Sequence, residues 1–149
     1  MKNFTIVFGL IVIVVAVTTG CVSNDVQGAE ITGDIGASIG YSGENKTDTQ
    51  RISWTVSIAN IGVKAAKNVT AYVILPPGIV SRLDALQESI VLGNLEPEGW
   101  AGFKGNATFN ASGLSKQDIM AWEPLVKIKV KWTEDGKVNE KIFPDEASK

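Results

Sequence analysis

Apolar side chains recur at every second position through much of this chain, and a period of two is the geometry of a strand with one face buried and one in water. Ile52, Trp54, Val56 and Ile58 alternate with Ser53, Thr55 and Ser57. Val69, Ala71, Val73 and Leu75 repeat the pattern until Pro76-Pro77-Gly78 ends it. Val126, Ile128, Val130 and Trp132 alternate with Lys127, Lys129 and Lys131, and Glu134-Asp135-Gly136-Lys137 then leads into the run Val138 to Phe143. Asp-Gly between two alternating runs predicts a tight hairpin, because both central residues of such a turn take positive φ. Ile31, Ile35, Ile39 and Tyr41 share one parity, Ser89 to Leu92 is a short apolar run, and Ala101, Phe103, Ala107 and Phe109 line one side of another strand. The β-branched content suits pleated structure. Ser115 to Asp118 has capping-box spacing ahead of Ile119 and Met120, which predicts one helical turn among the strands. About seven short strands joined by Gly, Pro and Asn turns, with no βαβ rhythm and no internal repeat, predict an all-β sandwich of two antiparallel sheets over residues 30–149.

The first twenty residues obey a different rule. Lys2 supplies a positive start, nearly every residue from Phe4 to Val17 is apolar, and the run ends at Thr18-Thr19-Gly20-Cys21. This is the plan of an export signal, 1–20. The run is short against the roughly 20 residues of a spanning helix, although an uncleaved anchor helix with a tilt is also compatible with it. Thr-Thr-Gly-Cys resembles a lipobox, with Thr18 where Leu or another aliphatic is usual. The resemblance implies that Cys21 becomes the mature N-terminus and takes up lipid through its thiolate sulfur. Residues 21–29, polar and turn-prone, read as the tether of a domain held at the outer face of the cell membrane.

Composition removes several function classes. The 149 residues contain no histidine and one cysteine, and the formal net charge is −2 with both signs scattered. No disulfide can form within the chain, and the core must suffice alone. Nucleic-acid binding asks for a concentrated basic footprint, which is missing. Zinc sites and Ser-His-Asp or Cys-His catalysis usually rely on imidazole. We therefore expect no catalytic residue, metal or cofactor.

The run Trp54-Thr55-Val56-Ser57-Ile58-Ala59-Asn60-Ile61-Gly62, followed by Ala66, Asn68-Val69 and Tyr72-Val73, resembles the cell adhesion related domain found in bacteria and kindred immunoglobulin-like surface modules. In that group a strand ends in Asn-x-Gly and the next opens on a valine. Leu92-Gly93-Asn94-Leu95-Glu96-Pro97-Glu98-Gly99 is similar to a later Leu-x-Pro-Gly turn, with Glu98 inserted. The resemblance spans roughly residues 50–105, and the C-terminal part departs from it. It implies an immunoglobulin-like sandwich serving as an extracellular interaction or spacer module, and brings no catalytic residue.

Few residues invite a sharper reading. Glu96 and Glu98 could form a carboxylate pair, but residues two apart on a turn are not held at the fixed separation that glycoside cleavage needs. Asp118, Glu123, Glu134 and Asp135 lack the spacing of a calcium loop, and Ser115 beside Lys116 does not form a facing dyad. Lys127, Lys129 and Lys131 read as a soluble, edge-protecting face, with an anionic wall polymer or lipid headgroups as the alternative. Asn45, Asn68, Asn106 and Asn110 each open an N-x-[ST] sequon, and four in one exported domain make N-glycosylation a candidate modification. Trp100 falls on the polar parity of its strand and Trp122 outside any strand. Either they close the core as a lid, one against the other, or they offer partner contacts. The expected function is thus a non-enzymatic surface lipoprotein anchored through lipid or an N-terminal helix. Its expected partner is an envelope protein or polysaccharide. The alternatives are a carbohydrate-binding module, which would need two or more aromatics on one platform, and an accessory subunit of a membrane complex.

Overall fold

The alternating runs pair as seven strands in two antiparallel sheets. The computed structural model describes residues 27–41, 48–83, 85 and 89–145. The apolar N-terminal run, Cys21 and Asn45 lie outside the described residues, and among those described no helix is long and apolar enough to cross a membrane. In chain order the elements are β1 (Ile31–Tyr41), β2 (Thr49–Asn60), β3 (Ala66–Ile74), α1 (Pro77–Val80), β4 (Ser89–Leu95), β5 (Trp100–Asn110), α2 (Lys116–Met120), β6 (Lys127–Glu134) and β7 (Lys137–Phe143). One sheet has the order β1-β2-β5 and the other β4-β3-β6-β7.

Parity decides which side chains meet between the sheets. Ile52, Trp54, Val56 and Ile58 of β2 face Val69, Ala71 and Val73 of β3, Ile128, Val130 and Trp132 of β6, and Phe109 of β5 in one buried cluster. Trp54 stands opposite Gly105 in the β2–β5 register. A Cβ at Gly105 would lie 2.6 Å from the Trp54 ring, so the indole fills the volume that a side chain on β5 would otherwise occupy. The indole Nε1 atoms of Trp54 and Trp132 are buried without a hydrogen-bond partner. Both rings therefore serve the core by volume, against the desolvation cost of a polar N–H.

Two expectations need adjustment. Tyr41 shares the parity of Ile31, Ile35 and Ile39, yet it is 72% exposed, and of the four only Ile31 is fully buried. Parity selects a face of the sheet, but burial also needs a layer opposite, and the eleven-residue edge strand β1 outruns the seven-residue β7 across from it. The short run expected at Ser89 to Leu92 continues as β4 to Leu95. It does so through Gly93 at φ +83°, where the β3–β4 register shifts beside Asn68 at φ +52°. This is a bulge, invisible to a count of alternating positions. Pro76-Pro77-Gly78 ends β3 as expected, and Pro77 then opens the single turn α1. The Asp135-Gly136 hairpin forms as the sequence requires, with φ +49° and +77°.

Among the described residues one polar side chain is wholly buried: Asn60, 0% exposed, at the end of β2. Its Oδ1 accepts from the Glu30 N–H (3.1 Å) and the Gly62 N–H (3.0 Å), while Nδ2 donates to the carbonyls of Lys64 (2.7 Å) and Leu95 (3.0 Å). The Asn60 backbone adds two bonds to the β4–β5 turn, its N–H donating to Gly99 O and its carbonyl accepting from Glu98 N, each at 2.9 Å. The chain before β1, the β2–β3 loop, the end of β4 and the β4–β5 turn all converge on this residue. We call this end the proximal pole, because the chain enters the domain here. Gly62 cannot carry a side chain, since a Cβ would collide with the Gly28 carbonyl oxygen and the Glu30 amide.

Asn60→Ala should lower unfolding free energy by roughly 3–5 kcal/mol, because it orphans several buried or half-buried backbone groups at about 1–3 kcal/mol each. Asn60→Asp should not rescue it, since a carboxylate loses both donor bonds and buries a charge. Urea unfolding decides this, and wild-type stability in Asn60→Ala would show that water can replace the side chain. Trp54→Ala should cost about 3–5 kcal/mol. A melting temperature within a few degrees of wild type would show the β2 register to be wrong.

Candidate functional site

At the pole opposite Asn60 the edge of the three-stranded sheet stands clear of the core. The end of β1, the start of β2 and the helix α2 enclose a hollow of about 470 Å³ lined by Ile39, Tyr41, Gln50, Leu114, Ile119 and Met120, with Gly40 and Lys116 at its margin. Tyr41 and Met120 are both largely exposed. Local chemistry holds α2 in place. Ser115 Oγ accepts from the Asp118 N–H (3.2 Å), and the Asp118 carboxylate accepts from Ser115 Oγ (2.7 Å) and the Ser115 N–H (2.8 Å). This is the capping box that the spacing predicts. The Ser115 hydroxyl, and secondarily its amide, hold the Asp118 carboxyl below its ordinary value. The hollow itself was not legible in the sequence. Tyr41 sits on the expected apolar parity, and only the length of β1 relative to its neighbours turns it into surface.

The two expected contact tryptophans do not come together. Trp122 follows α2 at the same distal pole, half-buried, with its ring edge-on to Phe109 at 6.3 Å and 66°. Gly78 leaves room for that ring, since a Cβ there would lie 2.8 Å from it. Trp122 is thus part of the closure of the core. Trp100 opens β5 whereas Phe109 nearly closes it, so about 30 Å of strand separates the neighbourhoods of the two indoles. Trp100 is 72% exposed on the outer face of the three-stranded sheet at the proximal pole. A shared lid and a shared aromatic platform are both excluded by this separation.

The remaining candidates are scattered. Asn68, Asn106 and Asn110 are exposed. The Asn68 N–H donates to Asn94 Oδ1 (3.0 Å), and Asn110 Oδ1 accepts from the Ser112 N–H (2.8 Å) inside its own sequon. Lys129 and Lys131 flank the Tyr72 ring at 5.4 and 5.8 Å, and Lys131 also reaches Glu140 at 3.6 Å. The basic row is thereby tied into its own sheet face. Glu96 and Glu98 sit on an exposed turn with Glu98 at φ +63°. Among the described residues no group of three or more Asp, Glu, Cys or His side chains could hold a metal ion.

No family model matches the sequence, and no curated protein matches it. Solved structures to which the chain is similar include the structural genomics target SoR45, at 14% identity and TM-score 0.43 over 75% of this chain and 80% of that one. The Bordetella pertussis protein assigned as ApaA gives 14% identity and TM-score 0.47 over 78% and 90%. A protein from Archaeoglobus fulgidus gives 16% identity and TM-score 0.32 over 77% and 90%. Likeness of this degree carries no inference about activity.

The cap of α2 should be sensitive to acid. A carboxyl whose folded value is depressed contributes stability above its unfolded value, and that contribution is lost as pH falls through the folded one. Amide NMR shifts of Ser115 and Asp118 should therefore move together at a pH below the ordinary aspartate range. Titration of Asp118 at the ordinary value, with Ser115 unmoved, would show that the box is not formed in solution.

Proposed function

We propose that this chain is a non-enzymatic cell-surface lipoprotein whose folded part is an immunoglobulin-like interaction module. Residues 1–20 direct export, Cys21 carries the lipid, and 21–29 tether the domain at the outer face of the membrane. The observation that carries the reading is the way the domain receives its tether. Gly28 O accepts from the N–H groups of Val63 (2.9 Å) and Lys64 (3.4 Å), Ala29 N donates to Glu134 Oε2 (3.1 Å), and Glu30 O accepts from Ile61 N (2.8 Å). A chain that leaves a signal-like segment within a few residues is thus gripped at one pole of a sandwich, and the hollow around Tyr41 and Met120 opens at the other. A domain held this way presents its distal hollow to the envelope, where a protein or polysaccharide partner would be met.

The strand order supports the immunoglobulin-like assignment. That fold places strands A, B, E and D in one sheet and C, F and G in the other, and the chain matches it at every strand but the fourth. The first, second and fifth strands here share a sheet, as do the third, sixth and seventh, with the fourth beside the third. The Asn-x-Gly run at Asn60-Ile61-Gly62 is also the feature on which the sequence resemblance to the bacterial adhesion-related domain rests.

Intact mass of the protein from its native membrane tests the anchor. The expected species begins at Cys21 and carries the added mass of lipid. A species that keeps residues 1–20, or that starts at an unmodified residue beyond Cys21, would replace the lipoprotein reading with a helix anchor or a secreted form.

A further inference from the structure

The proximal pole carries a second feature beside the grip on the tether, and two of the loop residues that make the grip, Ile61 and Val63, also belong to it. Ile61 (59% exposed) and Val63 (66%) project from the β2–β3 loop, Trp100 (72%) stands at the start of β5, and Val138 (72%) at the start of β7. The strand ends bring them to one end of the sandwich: Ile31 pairs with Asn60, Ala59 with Trp100, and Thr133 with Val138. Trp100 lies on the outer face of one sheet and Val138 on the outer face of the other, with the Ile61–Val63 loop in the same polar region. Large apolar side chains left in water at the end of a small domain need an explanation when they gather where the chain is tied down.

We infer that this pole is seated on the bilayer that holds the anchor, with Ile61, Val63, Trp100 and Val138 in the interfacial zone. The inference rests on the anchored reading of the N-terminus. The length of chain outside the domain commits the occupant. From Cys21 to Gly28 a fully extended chain reaches about 25–30 Å at most, so the membrane is always within that distance of the pole. At the effective concentration that such a short link imposes, even a weak partition of exposed side chains keeps them at the lipid surface. Tryptophan is the side chain most suited to that zone, with an apolar ring and a polar N–H at one edge. Charge does not drive the contact. Lys64 pairs with Asp135 at 2.6 Å and reaches Glu134 at 3.9 Å, and Lys67 and Lys137 act on the same Asp135 carboxylate, so the charges here largely neutralise one another. The seating is therefore apolar, and it sets the orientation of the domain: upright, with the distal hollow facing away from the cell.

The test uses the full chain, extracted with its anchor and reconstituted into phosphatidylcholine vesicles whose acyl chains carry bromine near the headgroup. Trp54 and Trp132 are buried and Trp122 belongs to the far pole, so Trp100 is the indole within reach of the quencher. Bromolipid should quench part of the wild-type emission, and that quenched component should disappear in Trp100→Phe. Ile61→Glu with Val63→Glu should weaken the quenching of Trp100 without lowering the melting temperature; were that variant to misfold, the wild-type comparison with Trp100→Phe still decides. Added phosphatidylglycerol or salt should change little, and quenching that appears only with the anionic lipid and vanishes in salt would overturn the apolar seating. Intact mass on the same sample separates the two readings. Lipid on Cys21 with no bromolipid quenching of Trp100 overturns the seating and leaves the anchor standing. A chain lacking both lipid and residues 1–20 removes the anchor and the seating with it. A chain that keeps residues 1–20 uncut removes only the lipid, and quenching then reads the pole directly.

Discussion

Asn60 is the residue on which the arrangement of one whole pole depends. A buried carboxamide offers two acceptor and two donor sites of consequence, and here all four are filled by backbone from three separate stretches of chain. Hydrophobic contact between the sheets is non-directional and would tolerate many placements of the loops around it. The carboxamide does not, because each of its bonds has a direction. It fixes where the chain enters β1, how the β2–β3 loop crosses to the other sheet, and where β4 stops. Gly62, two residues on, is the steric counterpart: it lets the entering chain lie directly against the loop that Asn60 holds.

Most of the sandwich was legible in the sequence because its core obeys a period of two. Residues Ile52 to Ile58 and Val126 to Trp132 could be assigned to inner and outer faces by counting, and the Asp135-Gly136 turn by the positive φ that its residue types favour. Counting fails where geometry departs from a flat ladder. The bulge at Asn68 and Gly93 lengthens β4 beyond its apolar run, and the overhang of β1 leaves Tyr41 in water despite its parity. Neither effect is local. Each depends on the length and register of a partner strand, which no window of one strand contains.

The functional features divide in the same way. The capping box at Ser115 and Asp118 and the exposure of Trp100 follow from spacing and parity along the chain. The hollow under α2 is assembled from β1, β2, α2 and the segment before it, which lie far apart in sequence. The fate of Trp122 likewise turned on Phe109 and Gly78, distant residues whose contribution is shape. Asn60 stood inside the Asn-x-Gly run and read there as turn chemistry. A buried carboxamide is distinguished from a turn asparagine by how many backbone groups surround it, and that number is a property of the fold.

The way the chain is held where it enters β1 has a consequence for the order in which the molecule can be completed. Glu134, which accepts from Ala29, and Lys141, whose Nζ donates to Ile31 O at 3.2 Å, are 105 and 110 residues beyond their partners. The chain entering β1 is held first by the nearby β2–β3 loop, through Ile61, Val63 and Lys64, and the two remaining ties come from the final hairpin. Loop closure over such separations is slow compared with local strand pairing. By sequence separation, the loop's bonds to Gly28 and Glu30 are the ones expected to close first and the two from the final hairpin last. In this sandwich the C-terminal hairpin adds the last two ties to the segment that enters β1, so groups more than a hundred residues apart complete one pole together.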